Sequence, residues 1–162
     1  MPPSTTTSRT WTWPRSAPRP GSVRGLADST AAAAAGRPSA LALETVAPDG
    51  YSGPIALLVG VDREGRVLGV RVTAHRETPG LGDGIESRRG DWILQFAGRS
   101  LGEPAPERWR VRREGGDFDA LVGATVTSRA VIGAVERALR LVGEHGEALY
   151  GEPPPALACP PP

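Results

Sequence analysis

No lysine occurs in this chain; its nineteen basic residues are all arginine. Eighteen acids nearly balance them, and a formal net charge of +1 excludes affinity for nucleic acid or an anionic membrane surface as a property of the whole molecule. Cysteine occurs once, at Cys159 in a proline-rich end, which excludes an intrachain disulfide and an iron–sulfur or cysteine-ligated metal set. Long apolar runs are absent as well. Nothing approaches the roughly eighteen residues of a membrane-crossing helix. Ala31 to Ala35 is too short, and the N-terminal end lacks the apolar stretch of a signal peptide. Aromatic residues amount to 5%. No internal repeat, nicotinamide fingerprint or nucleophile elbow is apparent, so solenoids, nicotinamide enzymes and serine hydrolases are set aside.

What the chain does have is glycine and proline, 21 and 17 of them in 162 residues, more than a globular domain ordinarily carries. The length suffices for one domain with its own core. Residues 1–46 carry five arginines against Asp28 and Glu44 and hold no helix or strand period, so they are expected to be disordered. Trp11 and Trp13 are the odd residues there, readable as a short edge strand or as nothing.

From Tyr51 the pattern becomes regular. Ile55 to Val61 and Arg66 to Thr73 read as two strands of a hairpin, the first buried and the second more exposed, joined by a turn at Asp62-Arg63-Glu64-Gly65. Asp91 is positioned to cap a short helix carrying Trp92, Ile93, Leu94 and Phe96 into the core. Arg108 to Arg113 alternates, with Trp109 and Val111 on one face, and predicts a half-buried strand with a basic outer face. Val131, Ile132, Val135, Ala138, Leu139 and Val142 recur every three or four residues and predict a helix over Arg129–Val142, ended by Gly143. The fold class is therefore α+β: a small antiparallel sheet with packed helices. The expected units are residues 1–46 outside the fold, a domain over 47–146 and a proline-rich tail over 147–162.

Two stretches carry chemistry. In Asp119-Ala-Leu-Val-Gly-Ala-Thr-Val-Thr-Ser128, the small residues Gly123 and Ala124 permit a close approach to the backbone, and Thr125 falls just before a helix start. Amides without partners and the positive end of the helix dipole would meet a phosphate there, although an ordinary cap by Thr127 or Ser128 accounts for the same residues. The second stretch, His75-Arg-Glu-Thr-Pro-Gly-Leu-Gly82, follows a strand and must be a loop. His75 and Glu77 could in principle pair on a metal, but no second histidine or cysteine lies close in sequence.

Together, these two stretches and the helix after them resemble the FMN-binding domain of the G-type subunit of the Rnf/Rsx ion-translocating electron-transport complexes, and are similar to its C-type counterpart in the sodium-translocating NADH:quinone reductase. The resemblance covers about Val46 to Glu147. It implies FMN as cofactor, esterified through its phosphate by a dedicated flavin transferase to the last threonine of an Asp-x-x-Ser/Thr-Gly-Ala-Thr motif, here Thr125. It implies that Gly123, Ala124, Thr127, Glu77, Thr78, Leu81 and Gly82 are cofactor-adjacent, with no catalytic residue and no metal. Val122 departs from the family by replacing a hydroxyl residue. The implied role is an electron-transfer subunit, a carrier and not an enzyme alone, at the periplasmic face of a bacterial inner membrane and partnered by the other members of the complex. A redox-sensing module and a cofactor-less interaction domain are the alternative readings. Family members usually begin with a membrane-spanning helix and a stalk; their absence here, with the abrupt change of composition near Leu41 to Val46, leads us to expect a misassigned start or altered reading frame within residues 1–40.

Overall fold

The computed structural model describes the backbone of residues 23–24, 30–34 and 37–151 and the side chains of residues 39–150. Trp11, Trp13 and Cys159 lie outside the described residues.

Five antiparallel strands form one sheet: β1 (Val23–Arg24), β2 (Thr30–Ala34), β3 (Arg37–Ala47), β4 (Ile55–Asp62) and β5 (Val67–Ala74). Its centre is β3–β4–β5, with the short β1 and β2 both paired to the free edge of β3. The β3–β4 register runs from Ala40 opposite Asp62 to Ala47 opposite Ile55. The β4–β5 hairpin follows the alternation read in the sequence: β4 is mostly buried, whereas only Val67 of β5 is. Its turn is closed by the Gly65 amide on the Asp62 carbonyl at 3.1 Å, with Gly65 at φ 78°, a conformation that favours glycine.

A long helix, α1 (Thr125–Gly151), packs across β3 and β4. Its inward residues Val131, Ile132, Val135, Ala138, Leu139 and Val142 meet Leu41, Leu43, Leu57, Val59 and Val61 in one apolar core. Each such Val, Leu or Ile side chain, removed fully from water, contributes roughly 1.5–3 kcal/mol, which is what holds helix to sheet. Between β5 and α1 the chain makes four short 3-10 turns. This segment carries an aromatic cluster, Phe96 and Trp109 against Phe118, with centroids 5.1 and 4.7 Å from it.

Several expectations change. Residues 37–46, placed outside the fold, form most of β3, and Leu41, Leu43 and Val46 are fully buried. A strand that alternates Ala, Leu, Glu and Thr reads weakly alone and becomes obvious only when paired with β4. The helix starts at Thr125, not Arg129, and passes through Gly143 and Gly146 to Gly151. Glycine costs about 1 kcal/mol in a helix interior; burial of Leu149 and Tyr150 at the far end outweighs it. Arg108–Arg113 is not a strand. It is two 3-10 turns, Pro106–Arg108 and Arg112–Glu114, joined by one bridge from Val111 to Phe118. Trp109 and Val111 are buried as expected, but proline and the turns around Gly115-Gly116 produce that alternation without a pleat. Leu94, expected in the core, is exposed: in a 3-10 turn residues three apart share a face, so Ile93 and Phe96 point inward and Leu94 does not.

Candidate functional site

The loop after β5 and the start of α1 meet fifty residues apart in sequence. At Gly123 the chain turns with φ 74°, and α1 begins two residues later. Ser128, fully buried, is the fastener of this start: its hydroxyl donates to the Ala124 carbonyl at 3.0 Å and accepts from the Leu121 amide at 2.9 Å. The Ser128 amide also reaches the Ala124 carbonyl, at 3.1 Å. The amides of Thr125, Val126 and Thr127 precede any helical acceptor and, among the described residues, have none elsewhere.

Three hydroxyls lie within this first turn, and they are not equivalent. Ser128 is used as just described. Thr127, 1% exposed, donates to the Glu77 carboxylate. Thr125 is half-buried and has no hydrogen-bond partner among the described residues.

Glu77 is itself 4% exposed. One of its oxygens accepts from Thr127 and the other from the Ser52 amide at 2.9 Å, while its own amide donates to His75 Nδ1 at 3.0 Å. That last bond fixes the tautomer: Nδ1 accepts, so Nε2 carries the proton and donates to Glu86 at 2.6 Å. Arg88, on the outer side of Glu86, together with His75, holds the Glu86 carboxyl down to about 2. His75 is thus a loop-bracing residue, and no group of metal-ligating side chains occurs among the described residues. Asp83 completes the loop, accepting from the Gly80 amide at 2.8 Å and pairing with Arg89 at 3.3 Å. At Gly82 a Cβ would come within 2.8 Å of Glu77 Cβ and 3.1 Å of Thr127 Oγ1, so only glycine lets the loop close this near the helix.

The result is a cavity of about 490 Å³ lined by Glu77, Thr78, Leu81, Gly82, Gly123, Ala124, Thr125, Thr127, Tyr51 and Val126. All eight residues singled out in the sequence line it. Tyr51 and Val126 were missed: Tyr51 arrives from the β3–β4 turn with no motif around it, and Val126 is an unremarked residue inside one. Val122, at 93% exposure, points away from any packing. Contrary to the sequence reading, Gly98-Arg-Ser-Leu-Gly102 does have the spacing of a nucleophile elbow; it forms a turn in which Ser100 and Glu103 exchange backbone bonds, not a strand-to-helix junction, so hydrolase chemistry stays set aside.

The volume falls within the roughly 300–1,000 Å³ usual for small-molecule sites. Its two sides differ in character. One is a helix start with three unbonded amides, suited to an anion. The other is a rim of exposed apolar side chains, Tyr51, Leu81 and Val126, suited to a flat apolar ring system. The lining fits a molecule that is anionic at one end and flat at the other, and the class is that of a small α+β domain with such a pocket at the start of its helix.

Comparison with known proteins narrows the class. Residues 50–140 match the family model described as FMN-binding domain. The G-type subunit of the ion-translocating oxidoreductase complex from Vibrio atlanticus is 50% identical over 118 residues, 73% of this chain and 56% of that protein. Its Shewanella oneidensis namesake is 49% identical over 122 residues, 75% of this chain and 58% of its own. That of Pseudomonas aeruginosa is 53% identical over 133 residues, 82% and 58%. This chain belongs to the FMN-binding domain family, and it spans just over half the length of these relatives.

Proposed function

We propose that the protein is a covalently flavinylated electron-transfer subunit of a membrane-bound ion-translocating oxidoreductase complex of the Rnf/Rsx type, with FMN joined through its phosphate to Thr125. The observation that carries this reading is the Thr125 hydroxyl: it opens onto the cavity and stands at a helix start, and neither it nor the amides of that start have a hydrogen-bond partner among the described residues. The names of the relatives support the complex, and the family supports the cofactor.

When bound, FMN supplies a ring that accepts and releases electrons, and the protein supplies attachment, orientation and electrostatics. Thr125 would hold the phosphate end, with the amides of Val126 and Thr127 as donors. Gly123 and Ala124 keep side-chain bulk away from that phosphate. Leu81, Val126 and Tyr51 would exclude water from one side of the ring, and Gly82 and Thr78 would form the loop wall. Val122 does not weaken the reading, because an exposed side chain at 93% neither shapes the cavity nor braces the helix.

A flavin transferase is the maturation partner in this reading, and the other subunits of the complex are its working partners. The place of action is the periplasmic face of the inner membrane. No helix among the described residues is long and apolar enough to cross a membrane.

Co-expression with a flavin transferase tests the proposal. The expected result is a fluorescent band on a denaturing gel, an intact mass raised by one FMN less one water, and neither in Thr125→Ala. An unmodified wild-type chain, or a Thr125→Ala chain that still carries the adduct, would overturn it. Reduction of the attached flavin by the remaining subunits then separates a relay from a sensor.

A further inference from the structure

We propose that Glu77 is the positioning residue of the attachment: its carboxylate, by binding Thr127, fixes the start of α1 so that Thr125 alone presents a free hydroxyl. This rests on Thr125 being the tether.

The carboxylate gathers three separate stretches of chain that line the cavity. Ser52, beside Tyr51, reaches one oxygen through its amide across 25 residues. Thr127 reaches the other through its hydroxyl across 50 residues. The loop itself is bound at both of its ends, because the Glu77 amide is held by His75 and the Glu77 Cβ lies where Gly82 closes against it. Glu77 is nearly inaccessible, and no cation is paired with it among the described residues. Its charge is instead set at a helix start, the place where a buried anion is best tolerated. Kept dry and bonded to both Ser52 and Thr127, the carboxylate ties the loop to the helix start, and an apolar residue in its place would leave two donors without an acceptor. Its two occupied oxygens point to geometry as the purpose.

The consequence concerns which oxygen reacts. Attachment forms a bond from a threonine Oγ1 to the phosphorus of FMN. It breaks the phosphoanhydride of an activated flavin donor such as FAD, releases the nucleotide, and passes the hydroxyl proton to a base of the transferase. A hydroxyl can enter only if it is reachable and its oxygen is uncommitted. Thr127 is buried with its proton on Glu77, and Ser128 is buried with its proton on the Ala124 carbonyl. Thr125 remains, and its aim depends on a helix turn that the Glu77–Thr127 bond anchors.

The test is the initial rate of attachment on the folded chain with purified transferase and FAD, with peptide mass mapping of the adduct and a thermal melt on each variant. Glu77→Met keeps the length and removes both acceptor oxygens; Thr127→Val removes the donor. Each is expected to slow attachment at Thr125 about tenfold, the scale of a modest misplacement of a reacting group. The double variant is expected to be no slower than either single one, because the two residues act as one unit. Thr127→Ser, which restores the donor, is expected to recover most of the rate lost in Thr127→Val. Wild-type rates in both single variants, or losses that multiply in the double variant, would overturn the role of Glu77 while leaving Thr125 as the tether. An adduct absent from Thr125 in the wild type would instead sink the attachment reading itself. Since rates are compared between folded chains, a variant with a lowered melting temperature is measured well below it.

Discussion

The two ends of α1 solve the same problem in opposite ways. A helix start and a helix finish each leave backbone groups without partners and each must be fastened to the rest of the molecule. At the finish, fastening is mainly by apolar burial, with one hydroxyl added. Leu149 and Tyr150 are buried, and the Tyr150 hydroxyl donates toward the carbonyls of Val61 and Asp62, at 3.1 and 2.5 Å, where β4 ends. At the start, fastening is polar. Ser128 and the Glu77–Thr127 pair hold the turn by hydrogen bonds, and the amides of Thr125 to Thr127 have no acceptor among the described residues. An apolar anchor is stable and chemically inert; a hydrogen-bonded one leaves donors and a hydroxyl available.

This contrast can be broken at either end. The largest effect expected is in Thr125→Ala: complete loss of the attached flavin by intact mass, with apo-protein stability changed by no more than about 0.5 kcal/mol in a urea melt, because the hydroxyl has no partner to lose among the described residues. Leu149→Ala should do the reverse, lowering stability by about 2–4 kcal/mol through the cavity it leaves, while attachment in the cold continues on the folded fraction. A Thr125→Ala variant that unfolds, or a Leu149→Ala variant that loses flavin while still folded, would show that the two ends are not separate devices.

Smaller effects sharpen the comparison. Tyr150→Phe should cost about 1 kcal/mol, a typical net hydrogen bond. Burial, aided by Asp62, pushes the Tyr150 hydroxyl up to about 12 from an ordinary 10.0. A raised pKa means the stabilisation is whole below about pH 10 and is lost as pH climbs toward 12. Alkaline melts of the wild type should therefore fall over that interval, and those of Tyr150→Phe should fall less. The smallest effect is at the loop brace. Glu86 is depressed to about 2 by Arg88 first and His75 second, so its contribution is present above about 4.5 and is lost as pH falls toward 2. Arg88→Ala should move the acid limb of the stability profile upward in pH. An unchanged limb would mean that the exposed Arg88–Glu86 pair is screened to nothing.

How much of this was legible beforehand differs from element to element. The β4–β5 hairpin was, since alternation and the Asp62–Gly65 turn are local signals. So was the apolar face of α1, because six residues repeat at helical spacing. The helix ends were not: local rules stop a helix at Gly143, and only Leu149 and Tyr150 finding a place against β4 carries it to Gly151. β3 was missed for a related reason, as its identity lies in a partner strand and not in its own composition. The arginine-rich segment at 108–113 shows the converse error, in which a period of two was mistaken for a pleat when consecutive 3-10 turns produced it.

By itself, the order of residues settled the chemistry on offer: Gly-Ala-Thr before an amphipathic helix, a glycine-rich loop after a strand, and no cysteine or histidine set to compete with them. It could do so because small residues and hydroxyls act through bonds that span only a few positions. Which of three hydroxyls stands free, that Glu77 is dry and shared between Ser52 and Thr127, and that Tyr51 walls the same cavity were decided only when segments 25 and 50 residues apart were brought together. Burial and hydrogen-bond commitment belong to the packed whole, since they depend on what the fold sets against each side chain and not on its neighbours in the chain.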